Sequence, residues 1–129
     1  MPVRYRTNMS ALRIISIEYD VATLEARNAL LQSAGYVVTG ASTFYQALEK
    51  LQKNRFDLVL FGRNIPGAQL RGFLELVQMK APVARTMILR GSSQAEDFKT
   101  ACFHDPEEGP EALLYAVQRL LIKSHAASA

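Results

Sequence analysis

"FDLVLFGRNIP" (Phe56–Pro66) is apolar through Phe61 apart from Asp57, and then breaks at Gly62, Arg63 and Asn64. A short apolar run closed by turn residues reads as a buried strand entering a loop. A strand that is apolar at successive positions needs cover on both faces, which is the mark of a parallel sheet. In such sheets the loop past the carboxyl end of a strand is where chemistry sits. A glycine in that place therefore needs an explanation.

The neighbouring segments fit the same plan. Upstream, "STFYQALEKLQKNR" (42–55) reads as a helix. Thr43 and Gln46 fit a capping box, and Phe44, Ala47, Leu48 and Leu51 share one apolar face. Downstream, "PGAQLRGFLELVQMK" (66–80) gives a helix with Leu70, Phe73, Leu74 and Val77 inward. "LRIISIEYD" (12–20) reads as a buried strand ending near Ile17, with Glu18, Tyr19 and Asp20 at its exit. In "ATLEARNALLQSAG" (22–35) Leu24, Arg27, Leu31 and Ala34, with Leu30 beside them, recur at helical spacing. Gly35 stands where a helix C-terminal glycine belongs.

"YVVTG" (36–40) is a second strand, Thr86–Leu89 a fourth, and "TACFH" (100–104) a brief fifth. "GPEALLYAVQRLLIK" (109–123) is the last helix, with Pro110 in its tolerated first turn. Ala112, Leu113, Ala116, Val117, Leu120 and Leu121 form its apolar stripe. Strands alternating with amphipathic helices predict an α/β domain with a parallel sheet covered on both faces. For five strands the leading arrangement is the doubly wound order 2-1-3-4-5, with its crevice between strands 1 and 3. Glu18, Tyr19 and Gly62 are expected to face that crevice.

The chain has 129 residues, a net charge of +3 and a single cysteine, Cys102. That length suits one domain, and one cysteine allows no internal disulfide. No apolar run approaches the roughly 18 residues of a membrane span, and no apolar stretch adjoins the N-terminal arginines as in a secretory signal. The expectation is a cytoplasmic protein away from membranes. Lysines and arginines fall on several helices without forming a stripe, so no direct nucleic-acid contact is expected; Arg4, Arg6 and Arg13 read as a solvated basic tail. Residues 1–11 are read as an N-terminal extension, 12–123 as the domain and 124–129 as a disordered tail. Phe44, Phe73, Tyr115, Met79 and Met87 are expected in the core, with Tyr36 and Tyr45 half-exposed. Cys102 reads as a small buried residue, His104 as a polar strand end, and neither as a metal ligand.

"ALLQSAGYVV" (29–38), "ALEKLQKNRFDLVLF" (47–61) and "IPG" (65–67), in this order and spacing, resemble the receiver domain of two-component response regulators, over Leu12 to Lys123. The resemblance implies a flavodoxin-like fold and a place in phosphorelay signalling. Receivers take a phosphoryl group from a partner histidine onto an aspartate ending strand 3. Two acids after strand 1 help hold Mg²⁺, a Ser or Thr follows strand 4, and a Lys precedes a proline after strand 5. The aspartate is the nucleophile, the metal needs hard oxygen ligands, and the lysine is a point charge for the phosphate.

Position by position this chain departs from that pattern. Gly62 stands at the acceptor position. Glu18 keeps one acid, Tyr19 replaces the other, and Asn64 retains a main-chain carbonyl. Arg90 stands in the Ser/Thr place with Gly91 after it. Asp105, before Pro106, reverses the lysine's charge, and Cys102 takes the switch aromatic's place. Asp57 cannot substitute as acceptor, since five residues of strand at ~3.3 Å each place it roughly 16 Å away. Between Arg90 and Asp105 lie residues 91–104, too few for the full helix receivers carry there.

The expected protein is therefore a degenerate receiver, or pseudo-receiver, and not an enzyme. It takes no phosphoryl group, binds Mg²⁺ weakly or not at all and has no other cofactor. With no effector domain after the last helix, it is expected to act by contact with a protein partner, a histidine kinase or another regulator, with homodimerisation also open. An ion pair of Arg90 with Glu18 and Asp105 is expected to fill the pocket, against alternatives in which Arg90 faces solvent or joins Arg63 in an anion site. Two other functions compete: an active receiver with a non-standard acceptor, and a flavin or small-ligand protein on the same fold. The acidic, bulky "EYDVAT" (18–23) argues against a flavodoxin-type phosphate loop.

Overall fold

A computed structural model describes residues 12–80, 83–89 and 102–128. Five parallel strands, β1 (Arg13–Ile17), β2 (Val37–Ala41), β3 (Leu58–Phe61), β4 (Arg85–Leu89) and β5 (Cys102–His104), form one sheet in the order β2-β1-β3-β4-β5. Four helices are described: α1 (Val21–Ser33), α2 (Phe44–Lys53), α3 (Gly67–Lys80) and α4 (Pro110–Ser128). A short 3-10 turn, Pro106–Glu108, leads into α4. This is the doubly wound order expected from the sequence.

Alternation along the strands builds two cores. Ile15, Ile17, Val59, Phe61 and Ile88 face α2 and α3, where Ala47, Leu51, Leu70, Phe73, Leu74 and Val77 meet them. Ile14, Leu58, Leu60, Met87 and Leu89 point the other way, towards Leu31 of α1 and Leu113, Val117 and Leu121 of α4. Both faces being covered is why successive residues of β3 are all apolar and all buried.

Local signals explain the helix ends. The Thr43 hydroxyl accepts from the Gln46 backbone N–H at 3.1 Å, as a capping residue should. The returning arm goes one residue further back than a capping box requires: Gln46 Oε1 accepts from Ser42 N at 2.9 Å. Gly35 follows α1 with φ +98°, a conformation that other residues adopt at a cost.

Some core expectations are corrected. Met79 is 77% exposed and Tyr115 60% exposed, because each lies off its helix's buried stripe. Ala34 is exposed as the cap residue after α1, and Tyr45 stands out in solvent beside the inward Phe44. The last helix also continues past Lys123 to Ser128, through two alanines, which are strong helix formers.

Candidate functional site

Register places the site. Ile17 pairs with Ala41 on one side and with Phe61 on the other. The strands then end together. Glu18 N donates to Ala41 O at 3.0 Å, and Gly62 N donates to Ile17 O at 2.7 Å. Glu18 and Gly62 are thus neighbours at the carboxyl edge, in the crevice between β1 and β3.

Glu18 is fully buried and Gly62 is buried against it. A Cβ on Gly62 would lie 2.6 Å from Glu18 Cδ and 3.0 Å from Glu18 Cβ, with Oε1 closer still. The glutamate therefore occupies the space that a side chain at position 62 would need. What glycine permits here is the close approach of the Glu18 side chain, not a turn conformation, since its φ is not positive.

Three groups hold the carboxylate. Oε2 accepts from Asn64 Nδ2 at 2.8 Å and from Asp20 N at 3.0 Å. Arg27 Nη1 stands 3.6 Å from Oε1, in an ion pair whose members are 7% and 0% exposed. Arg27 projects from the buried stripe of α1 between Leu24 and Leu31. Burial pulls its pKa below the ordinary arginine value, and the charge of Glu18 partly restores it.

The surroundings are occupied as well. The Tyr19 hydroxyl donates to Gln69 Oε1, and burial raises the pKa of its phenol. The Asp20 carboxylate caps α1, accepting from Thr23 N at 3.0 Å and from the Thr23 hydroxyl, and both bonds lower its pKa. Asp105 caps the 3-10 turn, accepting from Glu107 N at 3.0 Å. Arg63 forms an exposed ion pair with Glu107 at 3.7 Å, linking the loop after β3 to that after β5. Asp57 lies at the opposite end of the sheet, where Oδ2 accepts from Arg13 N at 2.8 Å.

Of the sequence-identified positions, Glu18, Gly62 and Asn64 come together. Tyr19 is next to them in the chain but is tied to α3. Arg90 lies outside the described residues, as do Gly91 and the rest of 90–101. The guanidinium placed against Glu18 is that of Arg27, which helical spacing puts on an apolar stripe. Asn64 contributes a side-chain amide, where only its main-chain carbonyl was anticipated.

With this geometry in view, the solved structures that superpose on the chain are telling. A CheY-like response regulator receiver domain protein from Methanospirillum hungatei matches with a TM-score of 0.80 and 23% identity, covering 91% of this chain and 98% of that one. The chain has the CheY-like receiver fold. The chemotaxis response regulator CheY4 of Vibrio cholerae matches with a TM-score of 0.74 and 25% identity, covering 84% of this chain and 98% of its own. TrrA of Thermotoga maritima, a response regulator solved in complex with Mg²⁺ and BeF, gives 0.73 and 24%, with the same coverage. No family model and no curated protein matches the sequence. On the receiver fold, the Glu18–Gly62 crevice is the topological switch point at which such sheets bind ligands. No described helix is long and apolar enough to cross a membrane.

Proposed function

We propose that the chain is a receiver-type signalling protein that takes no phosphoryl group and acts by contact with another protein. The observation that carries this reading is the Glu18 carboxylate lying in the side-chain space of position 62. Position 62 offers no nucleophile, and the buried carboxylate beside it is engaged by Arg27, Asn64 and the Asp20 N–H. The donor set does not fit Mg²⁺. A hard divalent cation wants several oxygen ligands. Here one carboxylate faces a guanidinium and two N–H donors, and among the described residues no cluster of three metal-ligating side chains exists.

The guanidinium supplies the positive charge that a metal would bring, so the crevice is neutralised from within. Such a protein signals by presenting a fixed surface, with no acyl phosphate formed or hydrolysed, and it is not an enzyme. Its partner on this reading is a histidine kinase or another regulator, met in the cytoplasm.

Incubation with acetyl phosphate and Mg²⁺, followed by intact-mass measurement, tests the reading. An ordinary receiver treated in parallel gains the mass of one phosphoryl group, and this chain is expected to gain none. An adduct on this chain that disappears in the Glu18→Gln variant would sink the proposal and identify Glu18 as a surrogate acceptor.

A further inference from the structure

A cavity of ≈ 630 Å³ opens between α1 and the start of α4. Its size lies within the range of small-molecule sites, about 300–1,000 Å³. Ala26 and Leu30 of α1, Leu89 at the end of β4 and Leu113 of α4 give it apolar walls. One charged residue lines it: Arg27, whose residue exposure is 8%.

Arg27 Nη1 is buried and makes no hydrogen bond. Its nearest anion, Glu18 Oε1 at 3.6 Å, is beyond hydrogen-bond length. A buried N–H left without an acceptor is unfavourable and calls for a partner. Glu18 keeps two donors on Oε2, while its Oε1 faces this N–H and is likewise buried without a hydrogen bond, so a ligand here would compete with Glu18 for Arg27. The first turn of α4 borders the same cavity at Gly109 and Pro110, and Glu111 in that turn offsets the positive helix end, which leaves Arg27 as the charge that faces the cleft. The cleft thus combines apolar walls with one buried cation, whose counter-charge is a single glutamate at 3.6 Å.

We propose that this cleft binds a small amphiphile, an apolar body bearing one carboxylate, with the carboxylate seated on Arg27. The site is separate from any phosphoryl chemistry at position 62, so the proposal stands whether or not the chain is phosphorylated. It also has a route inward. Arg27 is shared between the cleft and Glu18, so drawing its guanidinium towards a ligand loosens the ion pair beside Gly62. Ligand occupancy would then reach the loop after β3, the place where phosphorylation acts on a receiver.

Titration of the ¹⁵N-labelled full chain with decanoate, observed by amide chemical shifts, tests this. Decylammonium has the same apolar body with the opposite charge and serves as the control. Saturable shifts of the Ala26, Leu89 and Leu113 amides with decanoate, and none that saturate with decylammonium, are expected. Arg27→Met should weaken decanoate at least about tenfold, the worth of one charge-assisted hydrogen bond. Should that variant not fold, Ala26→Phe plugs the cleft from an exposed helical position and should weaken binding by at least as much. Non-saturating shifts, equal binding of the two probes, or an Ala26→Phe variant that binds like wild type would overturn the site. Shifts that saturate in the cleft but leave the Gly62 and Asn64 amides unmoved would overturn the link through Arg27.

Discussion

Asp57 and Glu18 are carboxylates at opposite ends of one sheet, the first half-buried and the second sealed. Around Asp57 the bonds are mostly those of the sheet itself. Asp57 N donates to Arg13 O at 2.8 Å, Arg85 N donates to Asp57 O at 2.9 Å, and the carboxylate adds a bond from Arg13 N. Its backbone bridges to Arg13 and Arg85, and its side chain adds one bond, to Arg13 N, where water can share the load. Glu18 has no water to share with. Its charge is met by a guanidinium, a side-chain amide and one backbone N–H, and it fills a space that a neighbouring residue vacates. The same functional group is a replaceable stitch at one end and the contents of the site at the other. Burial, more than the number of bonds, makes the difference.

The largest expected effect breaks the sealed end. Glu18→Leu strands Arg27 without a counter-charge and should cost about 3–5 kcal/mol in urea unfolding, as removal of one member of a buried pair does. The double variant Glu18→Leu/Arg27→Met should recover most of that loss, since apolar replacement of both members is often neutral. A double variant as unstable as the single one would mean that Asn64 and Asp20, not Arg27, are the partners that matter.

Next comes Gly62→Ala. Its added methyl meets Glu18 at less than contact distance and should cost about 1–3 kcal/mol, the range for overpacking. A neutral substitution would mean that Glu18 swings aside freely and leaves the crevice open. The smallest effect belongs to the other end. Asp57→Ala should cost only about 1 kcal/mol, because the backbone bonds remain and water reaches Arg13 N. A loss equal to that of Glu18→Leu would erase the contrast between the two ends.

Much of this was legible from the sequence. Apolar runs of strand length, helical stripes, Gly35 and the Thr43 cap fix the order of elements, and the flanks of Gly62 align it with the receiver acceptor. The site was harder. A cation on a buried stripe, as Arg27 is between Leu24 and Leu31, demands an anion, but the sequence does not say which. No local pattern could name the pair, since nine positions and a change of element separate the two residues. Asn64 was read through its backbone because side-chain direction in a loop has no period. Tyr115 and Met79 misled because aromatic and thioether side chains suit both core and surface, and only the exact helical phase decides between them.

The close approach at Gly62 also bears on how such a chain can change over generations. With Glu18 in place, a single replacement of Gly62 by aspartate sets one carboxylate into the volume of another. Either a turn of the Glu18 side chain or a shorter residue at position 18 empties that space. Glu18 is itself the acid that the receiver pattern keeps after strand 1, so the space at position 62 reopens when its side chain turns aside, and the ion pair with Arg27 is what that turn gives up.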